Sequence, residues 1–297
     1  MTNIQKVTVA GGGVLGSQIA CQCAFKGKTV MVYDINDQAV RQAEERVKAL
    51  RESYKHDLGI TDEQFDAGLS NLSYTDDLAR AAADADLVIE AIPEKPSIKH
   101  DFYASLAKVA PAKTIFASNS STFVPSTFAG DTGRPEKFLN LHFANQIWLM
   151  NTAEVMGSPR TDPDVYREVV EFSKEIGMVP IELHKEQPGY VLNTLLMPFI
   201  KAGGYLWSNG IADPQTIDKT WMIAMGSPKG PFAVLDMVGL RTAYNITSER
   251  MGDDPQSKPF LDKMKAMIDQ GRLGLESGQG FYHYPNPEYE DPDFLKS

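Results

Sequence analysis

Apolar runs separated by glycine or polar segments mark the first part of the chain. Residues 7–10 form a short run rich in β-branched side chains, residues 11–16 are rich in glycine, and residues 17–25 contain no glycine or proline. A second apolar run covers residues 29–33. This pattern predicts a strand, a tight turn, a helix and a second strand. Strands joined through a helix pair in parallel, so the segment is predicted to be a βαβ unit.

The pattern of buried strands continues as far as residue 183. Further strands are predicted at residues 87–92, 114–118, 138–141, 152–156 and 179–183. Helices between them complete an α/β domain over residues 1–184, with a Rossmann-type, doubly wound sheet. Residues 37–68 are predicted to form one or two long charged helices, which are too long for a simple crossover. We therefore expect an inserted helical arm there.

Strand-like runs stop after residue 184. The segments that follow have helical patterns, at residues 190–207, 214–224, 232–249 and 259–270. This predicts an all-α C-terminal domain over residues 185–297.

Composition and charge narrow the class of protein. The chain has 297 residues, of which 42% are hydrophobic, and a formal net charge of −10. It is therefore expected to fold as a globular protein with no excess of positive charge for binding phosphate backbones or anionic lipid. We expect no nucleic-acid partner and no membrane binding. Neither a membrane-span pattern nor a secretory signal pattern is present, which favours the cytoplasm.

The glycine turn carries a dinucleotide-binding motif. Gly11, Gly13 and Gly16 fit G-x-G-x-x-G, in which glycines permit the turn and a close approach of the backbone to a pyrophosphate. Asp34 ends the second predicted strand, where a carboxylate accepts ribose hydroxyls and repels a 2'-phosphate. We therefore predict NAD rather than NADP, with Val14 and Leu15 at the start of the helix also contacting it. A plain glycine-rich turn with Asp34 as a helix cap, or an FAD site, are the alternatives.

A histidine and a glutamate offer acid–base chemistry. A dehydrogenase that oxidises a hydroxyl group needs a base, and histidine suits this task near neutral pH. His142 follows a buried strand, at the sheet edge where ligands bind in this fold class. Glu154 lies in the next apolar run and needs a partner, for which His142 is the candidate. Taken alone, the two residues also fit a satisfied core pair without catalytic function.

Several further motifs occur along the chain in a fixed order. They are the G-x-G-x-x-G motif with Asp34, Ile92-Pro93-Glu94, Ser118-Asn119-Ser120-Ser121, Leu141-His142-Phe143, Glu154, Pro188-Gly189-Tyr190-Val191-Leu192-Asn193, Gly230-Pro231-Phe232 and Gly278-Gln279-Gly280-Phe281-Tyr282. With these motifs the chain resembles the L-3-hydroxyacyl-CoA dehydrogenase family over nearly its whole length. The set is far more specific than the glycine motif alone.

The resemblance implies roles for individual residues. His142 is the general base, and Glu154 orients it and supports its positive charge. Ser121 and Asn193 bind the substrate oxygen. The positions that contact NAD in the family correspond to Glu94, Lys99, Ser121 and Asn145. The implied substrate is an acyl-CoA, and the implied assembly is a homodimer formed by the helical domain.

Each of these roles has a structural alternative when a residue is judged singly. Ser121 also fits a cap serine, and Asn193 a helix amide bonded to the backbone. Lys99 also fits a solvated helix surface. The joint occurrence of the motifs favours the functional interpretation. No metal site is expected, because the histidine and acidic positions lack ligand spacing.

The segment after the base departs from the family pattern. Residues 144–153 lack the prolines that are usual there, and Trp148 adds bulk. The leading interpretation is NAD-dependent oxidation of a short-chain L-3-hydroxyacyl-CoA, or the reverse reduction. The departure motivates an alternative, a dehydrogenase of a free 3-hydroxy acid such as a sugar acid or a carnitine-like compound. A non-catalytic NAD-binding structural protein is a third interpretation.

Overall fold

A computed structural model describes residues 2–251 and 254–296. Contacts between residues divide it into two compact units, the first ending at Val191 and the second beginning at Leu192. The sequence pattern placed the division after residue 184. In the structure, residues 185–191 belong to the first unit.

The first unit is built on one mixed sheet. Its strands in the described residues are β1 (Lys6–Ala10), β2 (Thr29–Tyr33), β3 (Leu72–Thr75), β4 (Leu87–Glu90), β5 (Ile115–Ser118), β6 (Phe138–Phe143), β7 (Thr152–Gly157) and β8 (Val179–Leu183). They lie in the order β3-β2-β1-β4-β5-β6-β7-β8. The order reverses between β1 and β4, which is where doubly wound folds bind ligands. The predicted Rossmann-type fold class is confirmed.

Two features of the sheet differ from the sequence prediction. β3 was missed because Leu72-Ser73-Tyr74-Thr75 is a short edge strand without an apolar run. β7 runs antiparallel to β6, whereas every other neighbouring pair among the described strands is parallel. The connection over residues 144–151 contains no helix and is shorter than the dozen or so residues that a parallel crossover needs.

Helices cover both faces of this sheet. They are α1 (Val14–Phe25), α2 (Asp37–Leu58), α3 (Asp62–Gly68), α4 (Leu78–Ala82), α5 (Pro96–Val109) and α6 (Pro163–Glu175). One apolar cluster joins α1 and α6 to one face of the sheet, and a second joins α4 and α5 to the other. The sheet is therefore buried on both sides, as its continuous apolar strands predict.

The predicted arm over residues 37–68 consists of α2 and α3. Asn36 caps α2, Gly59 ends it in the left-handed conformation, and Thr61 forms a capping box with Gln64 at the start of α3. Tyr54 and Phe65 are buried in one cluster with residues of α1. The arm is therefore packed against the first helix of the unit.

The second unit is helical, as predicted. Its helices are α7 (Leu192–Ser208), α8 (Pro214–Met225), α9 (Pro231–Val238), α10 (Leu240–Met251) and α11 (Lys258–Asp269). Asp218 is buried and accepts hydrogen bonds from the backbone N–H groups of Phe232 and Ala233, in the first turn of α9. Asp236 does the same for Phe281 and Tyr282. Asp218 thus joins α8 to α9, and Asp236 joins α9 to residues 281 and 282, which follow α11. Among the described helices, none combines the length and apolar character that crossing a bilayer requires.

Candidate active site

The glycine turn between β1 and α1 has the form of a phosphate site. Gly11 has φ 98°, and a Cβ atom there would lie 2.5 Å from the carbonyl oxygen of Ala91, so only glycine fits. A Cβ atom at Gly13 would have no heavy atom within 4 Å. Gly13 is the N-cap of α1, and Val14 beside it is 66% exposed. The backbone N–H groups of the first helical turn are thus accessible to an anion, and the helix dipole favours one.

Asp34 is held beside this turn at the end of β2. Its Oδ2 accepts a hydrogen bond from Gly12 N (2.8 Å), and its Oδ1 accepts one from Ile35 N (2.8 Å). The helix-cap alternative for Asp34 is wrong, because Asn36 caps α2 by accepting from Ala39 N. A carboxylate fixed at this place fits the two ribose hydroxyls of NAD and disfavours a 2'-phosphate. The turn and Asp34 together fit the dinucleotide.

His142 and Glu154 face each other across the antiparallel pair β6 and β7, where they are register partners. Both are buried, and His142 Nδ1 lies 2.9 Å from Glu154 Oε2. Because a carboxylate only accepts hydrogen bonds, the hydrogen of the neutral ring lies on Nδ1. Nε2 therefore presents its lone pair. It lies 3.1 Å from Ser121 Oγ, on the loop after β5.

The other oxygen of Glu154 is bonded to the end of the first unit. Glu154 Oε1 accepts a hydrogen bond of 2.9 Å from Val191 N. A donor at each oxygen offsets the cost of burying the carboxylate. The same two bonds fix the orientation of the carboxylate, and through it the plane of the imidazole ring.

Glu94 joins the turn after β4 to the loop after β5. Its Oε1 accepts hydrogen bonds from Ser120 Oγ (2.5 Å), Thr122 N (3.1 Å) and Thr122 Oγ1 (2.7 Å), and its Oε2 lies 3.1 Å from Lys99 Nζ. Burial opposes ionisation of Glu94, but Lys99 and these hydrogen bonds lower its pKa below the usual value. Glu94 is therefore charged, and its side chain is 37% exposed. It can accept a hydrogen bond from a ligand hydroxyl.

Lys99 is buried, with 1% of its surface exposed. Its Nζ lies 2.5 Å from Glu90 Oε1 as well as 3.1 Å from Glu94 Oε2. The solvated-surface alternative for Lys99 is wrong, because its ammonium group is held between two carboxylates. Lys99 therefore acts on Glu94, whose pKa it lowers.

Comparison with known proteins decides the family. A model of the 3-hydroxyacyl-CoA dehydrogenase NAD-binding domain matches residues 6–187, and a model of the C-terminal domain of the same enzymes matches residues 189–284. The chain belongs to the 3-hydroxyacyl-CoA dehydrogenase family. It is an NAD-dependent oxidoreductase, and the predicted family and cofactor are confirmed.

Individual relatives cover almost the full chain. Human mitochondrial hydroxyacyl-coenzyme A dehydrogenase is 33% identical over 95% of this chain and 91% of its own length. The solved structure of (S)-3-hydroxybutyryl-CoA dehydrogenase from Ralstonia eutropha is 29% identical, with a TM-score of 0.80 over 96% of this chain and all of the other. A solved diketoreductase, described as acting on dicarbonyl compounds, is 55% identical, with a TM-score of 0.90 over 96% of this chain and all of the other.

The structure brings some of the other predicted site residues of this dehydrogenase together and leaves others apart. Ser121, His142 and Glu154 form one hydrogen-bonded line. Glu94 is bonded to the residues on either side of Ser121. Asn145 is exposed in the loop after β6, and Asn193 lies in the first turn of α7 in the second unit.

Two residues of this site were missed in the sequence. Glu90 is fully buried and accepts hydrogen bonds from Tyr103 Oη (2.9 Å) and Ser118 Oγ (2.7 Å) besides its bond to Lys99. Its signal was an acidic residue within an apolar strand, which needs partners. The ring of Tyr190 is stacked on the His142 imidazole. No sequence pattern predicts that contact, because it depends on a turn between distant segments.

Proposed function

We propose that this dehydrogenase oxidises the 3-hydroxyl group of an L-3-hydroxyacyl compound, or reduces the corresponding 3-keto group, with His142 as the general base. The observation that carries the proposal is the line from Glu154 through His142 to Ser121, with contacts of 2.9 and 3.1 Å. This line presents a basic nitrogen and a hydroxyl group at one point. That is the arrangement needed to take a proton from a bound alcohol.

The chain's residues divide the work of the reaction. In the oxidation, Nε2 of His142 takes the hydroxyl proton while the C3 hydrogen leaves with its electron pair and the C–O bond becomes a carbonyl. NAD, when bound, accepts that hydride at C4 of its nicotinamide ring. The Glu154 carboxylate stabilises the imidazolium that forms, and in the reduction the same imidazolium returns its proton to the oxygen.

Neutral donors complete the proposed site. Ser121 Oγ, 3.1 Å from Nε2, binds the substrate oxygen and stabilises the charge that develops on it. Asn193 is proposed as a second donor to that oxygen. Glu94 and Asn145 are proposed to contact the ribose and the nicotinamide side of the cofactor, and Gly11 to Gly16 with Asp34 to hold the pyrophosphate and the adenosine ribose.

An acyl-CoA is the first substrate candidate, because the family and most of its named relatives act on CoA thioesters. A substrate without CoA, a free 3-hydroxy acid or dicarbonyl compound, is the second. It is favoured by the 55% identity to the diketoreductase. The loop after the base is a second reason, because residues 144–153 depart from the family pattern. In this loop Trp148 Nε1 donates to Asp57 Oδ2 (2.8 Å) and the indole packs on Tyr54 of the arm.

The deciding experiment compares substrates and cofactors on the purified protein. Oxidation of NADH is followed with acetoacetyl-CoA and with free acetoacetate, and each arm is repeated with NADPH. Turnover with the thioester alone supports the first candidate, and turnover with the free compound alone supports the second. No turnover in any arm points to residues 144–153 and to a different 3-hydroxy substrate. His142→Gln is the control for contaminating reductases.

We further propose a homodimer formed by the second unit. Its support is a set of exposed apolar side chains, namely Leu195, Tyr205, Ile211, Ile223 and Met225, since such side chains in one unit favour association. Light scattering tests it: the mass of two chains is expected, and the mass of one chain contradicts it. The cytoplasmic location stays a prediction of the sequence.

A further inference from the structure

The first unit ends in a residue that covers one face of the base. The ring of Tyr190 lies parallel to the imidazole of His142, with centroids 4.5 Å apart and planes at 14°. Tyr190 is fully buried. An aromatic face at this distance restricts rotation of the imidazole, and it attracts a cation placed over it.

The hydroxyl group of Tyr190 is fixed to two segments that also carry the base and its partner. Tyr190 Oη donates to the carbonyl oxygen of Ser120 (2.5 Å) and accepts from Asn140 Nδ2 (2.8 Å). Ser120 precedes Ser121, which bonds to Nε2, and Asn140 lies two residues before His142 on the same face of β6. The hydroxyl group of Tyr190 therefore ties its ring to the loop that carries Ser121 and to the strand that carries His142.

The backbone that follows Tyr190 contacts the carboxylate partner of His142. Gly189 has φ 83° and Tyr190 has φ 53°, a left-handed conformation that few non-glycine residues adopt. This turn directs the next N–H group, that of Val191, to Glu154 Oε1 at 2.9 Å. One dipeptide thus places a ring on the imidazole and a donor on the carboxylate that orients it. Such a conformation persists where the surroundings fix it, and it clusters at functional sites.

We infer that Tyr190 is a positioning residue for His142: its stacked ring holds the imidazole plane and stabilises the imidazolium, and its hydroxyl group holds the ring. The inference rests on the proposed role of His142 as the base. It adds a residue whose effect is exerted on the base and not on substrate or cofactor.

The groups around the stack keep the Tyr190 phenol un-ionised. Glu154 bonds directly to His142, and the charges of Glu94, Glu154 and Glu90 all act on Tyr190. Burial, with these carboxylates, raises the pKa of the Tyr190 phenol well above its ordinary value, although the Asn140 hydrogen bond opposes the shift. The stacked partner is therefore a neutral phenol at every working pH. The face that covers the imidazole is therefore that of an uncharged ring.

Two variants separate the ring from the hydroxyl group. Tyr190→Phe keeps the stack and removes both hydroxyl hydrogen bonds, and we expect kcat to fall about threefold. Tyr190→Leu removes the stack as well, and we expect kcat to fall about tenfold or more. The alkaline limb of the pH profile for NADH oxidation should also move to lower pH, because the imidazolium loses the ring face. KM and Kd for NADH should stay unchanged in both.

The matched control is Tyr166→Phe. Tyr166 Oη donates to the carbonyl oxygen of Val155 on β7 (3.0 Å), so this variant removes a tyrosine hydrogen bond in the same unit without touching the base. Its kcat and pH profile should equal those of the parent protein. Melting temperatures of all variants show how far each one is destabilised.

The outcomes distinguish this inference from the proposed function beneath it. If Tyr190→Leu keeps the parent kcat and pH profile while His142→Gln is inactive, the role of Tyr190 is refuted and the role of His142 stands. If His142→Gln turns over normally, the proposed function itself fails. If Tyr190→Leu does not fold, the isosteric Tyr190→Phe decides: a kcat equal to that of Tyr166→Phe refutes the anchoring role of the hydroxyl group.

Discussion

Replacing Glu154 by glutamine tests how much its buried charge contributes to the base. The glutamine side chain has the same shape and keeps one oxygen, which can accept from His142 Nδ1 as Glu154 does at 2.9 Å. Its NH2 group then lies toward Val191 N and cannot accept the hydrogen bond that Glu154 Oε1 accepts there. The substitution therefore removes that bond and the attraction between the carboxylate and the imidazolium that forms in the reaction.

The size of that loss follows from the geometry. Two unit charges about 4 Å apart attract by about 4 kcal/mol at the effective dielectric constant of about 20 that suits such sites. A barrier change of about 1.4 kcal/mol is a tenfold change in rate. We therefore expect Glu154→Gln to lower kcat by about two to three powers of ten in both directions.

The assay measures kcat and KM for the substrate that turns over, with the Kd of NADH measured separately by fluorescence. The Kd of NADH should stay unchanged, because Glu154 is bonded to the base and not to the glycine turn. Glu171→Gln is the matched control, since Glu171 is exposed and paired only with Lys174 in the described contacts of its side chain. A loss of kcat below about threefold for Glu154→Gln would show that the carboxylate charge does not support the base.

Three further predictions concern the cofactor site and stability. Gly13→Ala should weaken NADH binding about tenfold or more without lowering the melting temperature, because the added Cβ meets no protein atom within 4 Å but lies where a pyrophosphate approaches. Asp34→Asn should reduce the preference for NADH over NADPH at least about tenfold, because it removes a charge that repels the 2'-phosphate. Glu175→Gln should make the free energy of unfolding fall less steeply as the pH is lowered from 5 to 2. Partial burial opposes ionisation of Glu175, but bonds from Lys28 and Thr2 lower its pKa to about 2. Its contribution of about 2–3 kcal/mol is therefore present above pH 4.5 or so and is lost as the pH falls toward 2.

The contradicting results are equally specific. NADH binding by Gly13→Ala that matches the parent would place the pyrophosphate elsewhere. An unchanged cofactor preference in Asp34→Asn would remove Asp34 from the ribose site. For Glu175→Gln, the free energy of unfolding measured by denaturant between pH 5 and 2 should change less steeply than in the parent protein, and an unchanged slope would exclude the Lys28 pair as its source.

Local patterns in the sequence were enough to predict most of the first unit. β1, α1 and β2 follow from the alternation of apolar runs and glycine, and α2 and α3 follow from the long charged helical pattern of residues 37–68. The direction of β7 was not predictable from its own residues. Whether a strand returns antiparallel depends on its connection. Helices were expected between the strands, but residues 144–151 between β6 and β7 contain none and are too few for a parallel crossover.

The site was predictable where a polar residue lies in or beside an apolar strand, because such a residue needs a partner when it is buried. A histidine after a buried strand and a glutamate in an apolar run need each other, and the structure places them 2.9 Å apart. The burial of Lys99 on α5 was not visible in the sequence, because it depends on how its side chain meets Glu90 at the end of β4. The stack of Tyr190 on His142 depends on two left-handed residues at the end of the unit, and such a long-range contact has no periodic signal.

The most direct test of the central claim is the turnover of His142→Gln, measured with the Kd of NADH on the same preparation. We predict that NADH binds as it does to the parent protein while kcat falls by about two to four powers of ten, since that is what a positioned general base contributes. Turnover at the parent rate, with NADH binding intact, would contradict the assignment of His142 as the base and with it the reaction proposed for this site.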